Sequence, residues 1–506
     1  MSGPTSPCSN AETSHDAAAK PRMLVLCFDG TANEYGGENT NVVKFFAMLR
    51  KDCDDEQLCY YQTGIGTYEN PGMFTPLTMW IAKVADEAFA WYLSAHVMGG
   101  YKFLMKNYQP GDNISIFGFS RGAYTARALA GMLTKIGLLP KDNDEQVTFA
   151  YKMYTRTDKQ GLIEAAGFKQ TFCRPVQVRF IGVWETVAST GIIMSRDLPF
   201  TTNNTLVKTF RHALSLDEHR SKFVPTFWQL AKPTSSASNP GSAGSSAVVV
   251  PIPQNPEDTS TANRDSAVPT RAVTQTSDVA ESRLLKSNEK ENNKERARKK
   301  RTWTFFSKTK TKNAEILDEI DPEESPEDKC DVKEVWFSGC HSDVGGGADA
   351  SMVTASLADI PLRWMIREVI ASQCGIQFDT AAMQRFHVHV DLPAPSLFAP
   401  TTHPADGELS AEDASSDAVD ASKPLHDELS LQPLWWVLEV IPLAFSWQDA
   451  KGIWHNKWEL HLGRGRYVKQ TGPLLFHETV RIRMEDKTLG YTPKAKYIKG
   501  TETYVW

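Results

Sequence analysis

Several signatures are missing from this chain, and each absence removes a class of function. None of its eight cysteines forms a C-x-x-C pair, which sets aside zinc ribbons and thioredoxin-type redox chemistry. Eight cysteines in 506 residues are also too sparse for a disulfide scaffold. There is no G-x-x-x-x-G-K phosphate loop. There is no H-E-x-x-H either, because His477-Glu478 is followed by Arg481 where the second histidine belongs. No metal and no cofactor are therefore expected. No stretch of about 20 apolar residues occurs, so no membrane-spanning helix is expected. The nearest candidate, Leu434 to Trp447, is interrupted by Glu439 and Pro442. Met1 to Lys20 lacks an apolar segment of the secretory kind, and the chain reads as intracellular and cytoplasmic. Basic charge is not in excess: Lys+Arg number 55 against Asp+Glu 61, for a net charge of −6. Nothing drives the whole molecule toward nucleic acid, which is not expected as a partner.

What is present suits a large folded protein. The apolar fraction is 41% and the aromatic fraction 10%, enough to bury a sizeable core. At roughly 150 residues per domain the length corresponds to about three domain equivalents, or to one large α/β domain carrying insertions. Residues 1–21 read as a disordered tail, and 22–506 as a single domain interrupted twice. Residues 235–330 are rich in Ser, Thr, Pro, Asn and charge, with only Trp303, Phe305 and Phe306 as aromatics, and read as a disordered insertion. The basic run Lys294–Arg301 inside it suits a nuclear address or an anionic-lipid contact. Residues 401–430 form a second, acidic and polar insertion.

Between the insertions, short apolar runs alternate with helical patterns. Strands are expected at Met23–Phe28, Cys59–Gln62, Ile114–Phe117, Val176–Val183, Val332–Phe337 and Phe386–Val390. Helices are expected at Asn41–Arg50 behind an Asn cap, at Trp80–Tyr108 with a break at Gly99-Gly100, at Ala123–Ile136 and around Ser356–Cys374. Leu431 to Trp506 reads as ordered and aromatic-rich. Near-continuous apolar strands alternating with helices predict an α/β fold, a mostly parallel sheet with helices on both faces. Ligand chemistry in such folds gathers at the carboxyl ends of the strands.

Three strand ends carry chemistry. Ile114–Phe117 runs into Gly118-Phe119-Ser120-Arg121-Gly122, a G-x-S-x-G. A nucleophilic serine needs a strained strand-to-helix turn that exposes its hydroxyl, and Gly118 and Gly122 relieve the crowding there. A serine also needs a base and an acid that orients the base. Glu185 follows the strand ending at Val183, and His341 follows the strand ending at Phe337, in the chain order Ser, acid, His. Asp343 is the reserve acid. The first strand ends in Asp29-Gly30-Thr31. Gly30 and Thr31, with the N–H of Arg121, are candidates for an oxyanion hole, and Asp29 for tying that loop to neighbouring N–H groups. A D-x-D-G-T phosphatase reading fails, because Cys27 stands where the nucleophilic aspartate belongs. Trp435, Trp436, Leu438 and Ile441 suit either core packing or a peripheral membrane contact.

The ordered blocks LCFDGTAN, YYQTGIGT, GDNISIFGFSRGAYTARALAGML, FIGVWETV, RHALSLDEHR and VWFSGCHSDVGGG resemble an α/β-hydrolase family. Its bacterial members include the catalytic domains of type VI secretion phospholipase effectors, and it has many fungal members. The resemblance covers roughly Arg22 to Leu230 and Val332 to His389, and LGRGRYV and LFHETVRIRM look similar to the fungal branch. It implies an α/β-hydrolase-like fold and a Ser-acid-His hydrolase acting on lipid or small esters. The family pattern has Asp at the position of Glu185, and Glu serves as the acid in some hydrolases of this fold. A hydrolase fold retained as a catalytically weak or inactive binding scaffold is the alternative. Ser120 together with His341 favours the enzyme, since a scaffold has no chemical need for either.

Overall fold

The computed structural model describes residues 21–64 (except 32), 78–187, 198–229, 330–389 (except 352 and 354), 410–440, 443–448, 454–468 and 473–506. The tail 1–20, nearly all of the 235–330 insertion with its basic run, and Ile441 lie outside the described residues. By internal contacts the chain divides into Met1–Leu230 with Pro322–Trp506 and a second unit, Ala231–Asp321. Every described residue lies in the first.

Eight strands form one sheet: β1 (Met23–Phe28), β2 (Gln57–Gln62), β3 (Asn113–Phe119), β4 (Val178–Trp184), β5 (Val207–Ser215), β6 (Asp331–Phe337), β9 (Leu474–His477) and β10 (Glu502–Val505). Their order is β10-β9-β6-β5-β4-β3-β1-β2, and every adjacent pair is parallel. A separate antiparallel pair, β7 (Leu443–Gln448) and β8 (Trp454–Glu459), stands apart. The fold is α/β, with helices on both faces. In β1, Leu24, Leu26 and Phe28 enter one core while Met23, Val25 and Cys27 enter the other. Burial on both faces is why the run reads as continuously apolar rather than alternating.

The first core is covered by α2 (Thr78–Asn107), α3 (Arg121–Ile136), α4 (Asp144–Thr155) and α5 (Lys159–Phe172). The second is covered by α1 (Asn41–Met48), α7 (Asp359–Ala371) and α8 (Thr380–Arg385). Helix α3 is buried on nearly every side. Arg127 inside it donates to the carbonyls of Thr201 (2.5 Å), Thr226 (2.6 Å) and Phe227 (3.1 Å). Those bonds tie the chain on either side of β5 to the helix that follows Ser120.

Some expectations need correction. Helix α2 runs through Gly99-Gly100 without a break. Thr40, not Asn41, caps α1, its side chain accepting from the Val43 N–H. Asn41 is instead buried and donates to the carbonyls of Val344 (2.9 Å) and Ala358 (2.8 Å). Phe386–His389 is not a strand: the Phe386 N–H turns back to the carbonyls of Ala382 and Met383 and closes α8. The acidic stretch holds α9 (Ala411–Ala421), with Asp413, Asp417 and Asp420 buried. Among the described residues no helix is long and apolar enough to cross a membrane.

Candidate active site

Ser120 sits at the turn between β3 and α3 with φ 56° and ψ −121°. A side chain rarely occupies that left-handed region, and holding it there costs on the order of 1–3 kcal/mol. The turn closes only around glycine. A Cβ on Gly118 would lie 2.5 Å from the Gly122 carbonyl oxygen, and one on Gly122 would lie 2.3 Å from the carbonyl oxygens of Phe28 and Asp29. The G-x-S-x-G is thus a packing requirement as well as a sequence pattern.

His341 opens α6 (His341–Gly345), the short turn after β6. Its Nε2 lies 2.9 Å from Ser120 Oγ, and its Nδ1 lies 3.0 Å from Glu185 Oε2. A carboxylate only accepts, so Nδ1 carries the proton and Nε2 is left free to accept from the serine. Glu185 follows β4 with φ 48°, its N–H held 2.9 Å from the Ala213 carbonyl oxygen. The Phe119 and Phe223 rings flank the imidazole, with centroids 4.7 and 4.8 Å away. Serine, histidine and glutamate are all buried.

Electrostatics fit a proton relay. Burial alone would raise the Glu185 pKa. The Arg466 guanidinium and the His341 hydrogen bond outweigh it and hold the carboxyl well below the usual carboxylate range. His341 is pushed below its ordinary pKa by burial, against the pull of Glu185 and Glu218.

Asp343 is elsewhere engaged. Its carboxylate accepts from the Cys340 N–H (2.8 Å) and from His426 Nδ1 (2.7 Å), so it braces the histidine loop rather than the imidazole of His341. Asp29 accepts from Thr40 Oγ1 (2.8 Å), Tyr61 OH (2.7 Å) and the Gly30 N–H (2.7 Å). That last bond takes the Gly30 N–H out of the oxyanion role expected for it. Of the other two candidates, Thr31 follows on the same loop with a buried hydroxyl that has no partner, and Arg121 directly follows Ser120 at the start of α3.

Residues that sequence reasoning did not single out complete the site. The Glu218 carboxylate accepts from the His341 N–H (3.2 Å) and pairs with Arg220 (2.7 Å). Arg220 lies over the Phe223 ring, 3.7 Å from its centroid. Asp217 accepts from the Gly339 N–H (2.7 Å), Tyr491 OH (2.7 Å) and the Lys494 N–H (3.0 Å). Glu218 and Arg220 fall inside the RHALSLDEHR block, which was the available signal; Arg466 falls in LGRGRYV. Among the described residues no group of His, Cys, Asp or Glu could hold a metal ion.

Residues 22–368 match the family model described as T6SS, Phospholipase effector Tle1-like, catalytic domain. The chain belongs to this family. The Tle1-like match spans Ser120, Glu185 and His341 and stops short of Arg466. The uncharacterized protein YEL023C of Saccharomyces cerevisiae is 29% identical, with 94% of this chain and 80% of that protein covered. Two solved structures are similar at low overlap. A crystal structure of an uncharacterized protein from Pseudomonas aeruginosa has a TM-score of 0.33 and 15% identity, covering 73% of this chain and 49% of that one. The Tle1 effector bound to the VgrG spike of the type 6 secretion system has a TM-score of 0.22 and 19% identity, covering 43% and 50%. This chain spans about half the length of those two chains.

Proposed function

We propose that this Tle1-like domain is a serine hydrolase of carboxylic esters, with lipid or phospholipid esters as substrates. The observation that carries the reading is the continuous relay Ser120 Oγ, His341 Nε2, His341 Nδ1, Glu185 Oε2, with links of 2.9 and 3.0 Å. In the first step His341 takes the Ser120 proton as Oγ attacks the ester carbonyl carbon. The N–H groups of Arg121 and Thr31 receive the resulting oxyanion. The tetrahedral intermediate collapses, the alcohol leaves with the proton from His341, and Ser120 is left acylated. Water, deprotonated by His341, then releases the acid and restores the serine. The family's phospholipase character supports a lipid substrate. The exposed Trp436, Val437 and Val440 suit a peripheral contact with the surface that presents it.

The test is labelling with a fluorophosphonate probe, together with fatty-acid release from phospholipid vesicles. Wild type should be labelled and active. Ser120→Ala should stay folded, lose the label and lose activity by on the order of 10³-fold or more. A wild type that neither labels nor releases fatty acid would leave the scaffold reading in its place.

A further inference from the structure

We propose that Arg466, nearly a hundred residues beyond the end of the matched catalytic segment, is a positioning residue of the relay, fixing the Glu185 carboxylate on His341. The inference rests on the hydrolase reading above and adds a fourth member to it. Arg466 Nη1 lies 2.8 Å from Glu185 Oε1 and Nη2 lies 2.7 Å from Glu185 Oε2. That is a two-pronged grip on one carboxylate by a planar fork. The same two nitrogens also donate to the carbonyls of Ser215 (2.9 Å) and Phe223 (2.6 Å). The Ser215 N–H adds a bond of 2.6 Å to Oε1. Oε2 is thus shared between Arg466 and His341 alone among these donors, and the guanidinium sets the plane in which it faces Nδ1.

The C-terminal segment is built to deliver this side chain. A Cβ on Gly465 would lie 1.8 Å from the Lys494 carbonyl oxygen, so only glycine lets the two backbones meet. The Lys496 N–H then donates to the Arg466 carbonyl (2.7 Å), and the Ala495 N–H to the Leu216 carbonyl (2.9 Å). Arg466 is therefore pinned to the strand-end segment that follows β5. A buried Glu185 facing a neutral imidazole would be an uncompensated charge, and Arg466 compensates it. The pairing also accounts for glutamate at this position. Aspartate would draw the carboxylate back by about 1.5 Å, and one group could not then reach both Arg466 and His341.

The test uses the full chain with kcat, KM, melting temperature and the pH–rate profile as readouts. Arg466→Met should lower kcat on the order of 10²-fold with KM little changed. It should also move the acid limb of kcat/KM to higher pH, because His341 then feels Glu185 without its cation. Glu218 and Arg220, the other charged groups facing the imidazole, are unchanged. A purely structural role would lower the melting temperature without moving that limb. Arg466→Lys should recover stability but little kcat, since an ammonium cannot grip both oxygens, and Glu185→Asp should lose at least about tenfold. In a Glu185→Gln background, adding Arg466→Met should cost less than about threefold more. Wild-type kcat and an unmoved limb in folded Arg466→Met, or in Arg466→Lys where the methionine variant does not fold, would overturn the proposal. So would fully multiplicative losses in the double variant. A wild type that fails to label with fluorophosphonate strikes the hydrolase reading instead, so the two failures are distinguishable.

Discussion

At the scale of single residues the proposed mechanism makes the protonation of His341 decide when the site can work. Burial lowers its pKa from the ordinary histidine value, against Glu185 and Glu218, which pull it up. The neutral imidazole, the form that the proposed mechanism needs to accept the Ser120 proton, therefore persists as pH falls past about 6.5. The expected acid limb of kcat/KM has its midpoint below pH 6.5, so more than half of the plateau activity is kept at pH 6.5. A profile recorded from about pH 4.5 to 8 checks this, and a midpoint above 6.5 would contradict it. Ser120, Glu185 and His341 were legible in the sequence because the first two directly follow an apolar strand and His341 comes within four residues of one. A parallel sheet delivers successive strand ends to one edge. The clamp on Glu185 was not legible as a clamp. Arg466 lies 281 positions from its partner, and its own neighbours carry no periodic signal. The Gly30 N–H was misread because the nearest acceptor is the carboxylate one residue before it.

At the scale of elements, β1, β3 and β4 are legible because both of their faces are buried, whereas β5 hides behind its polar residues. Arg211 points into the structure but is answered by Glu368 (2.5 Å) and Asp331 (2.6 Å), and His212 by Glu334 (3.0 Å). Buried charge that is paired across elements looks, in one dimension, like surface. The same blindness applies to α9. Asp413, Asp417 and Asp420 recur at helical spacing on one face and meet α7, where Arg363 Nε lies 2.7 Å from Asp417 Oδ1 and the guanidinium also binds Asp420. Arg367 adds longer contacts to Asp413 (3.7 Å) and Asp417 (3.5 Å). Removing Arg363 strands two buried carboxylates. Arg363→Met should destabilise the protein by about 3–5 kcal/mol, read as a lower denaturant midpoint. Adding Asp417→Asn and Asp420→Asn should restore part of it. An unchanged midpoint in Arg363→Met would mean that α9 does not depend on this pairing.

At the scale of the whole molecule, the catalytic unit is assembled from distant stretches of chain around a long excursion. Its departure and return are both anchored. Before it, the Trp228 N–H donates to Glu334 Oε1 on β6 (2.9 Å), and the Trp228 ring packs on Phe210 of β5 with centroids 4.2 Å apart. After it, Asp331 pairs with Thr209 on β5. The chain thus leaves and re-enters against the same two strands, and β5–β6 pairing is already made by residues outside the excursion. The described relay, its clamp and the described core are built by residues outside 240–325. The composition of 240–325 is also too polar to build a core of its own. Closing a shorter loop is favoured by only on the order of 1–2 kcal/mol relative to a loop of about 100 residues. Replacing 240–325 by a short Gly/Ser linker should therefore leave the melting temperature within a few degrees of wild type and leave ester hydrolysis intact. Loss of soluble expression, or a melting temperature lowered by ten degrees or more, would show that this stretch stabilises the hydrolase unit. Retained stability with lost hydrolysis of vesicles but not of a soluble ester would assign it instead to engaging the lipid surface, a role the run Lys294–Arg301 is charged to play.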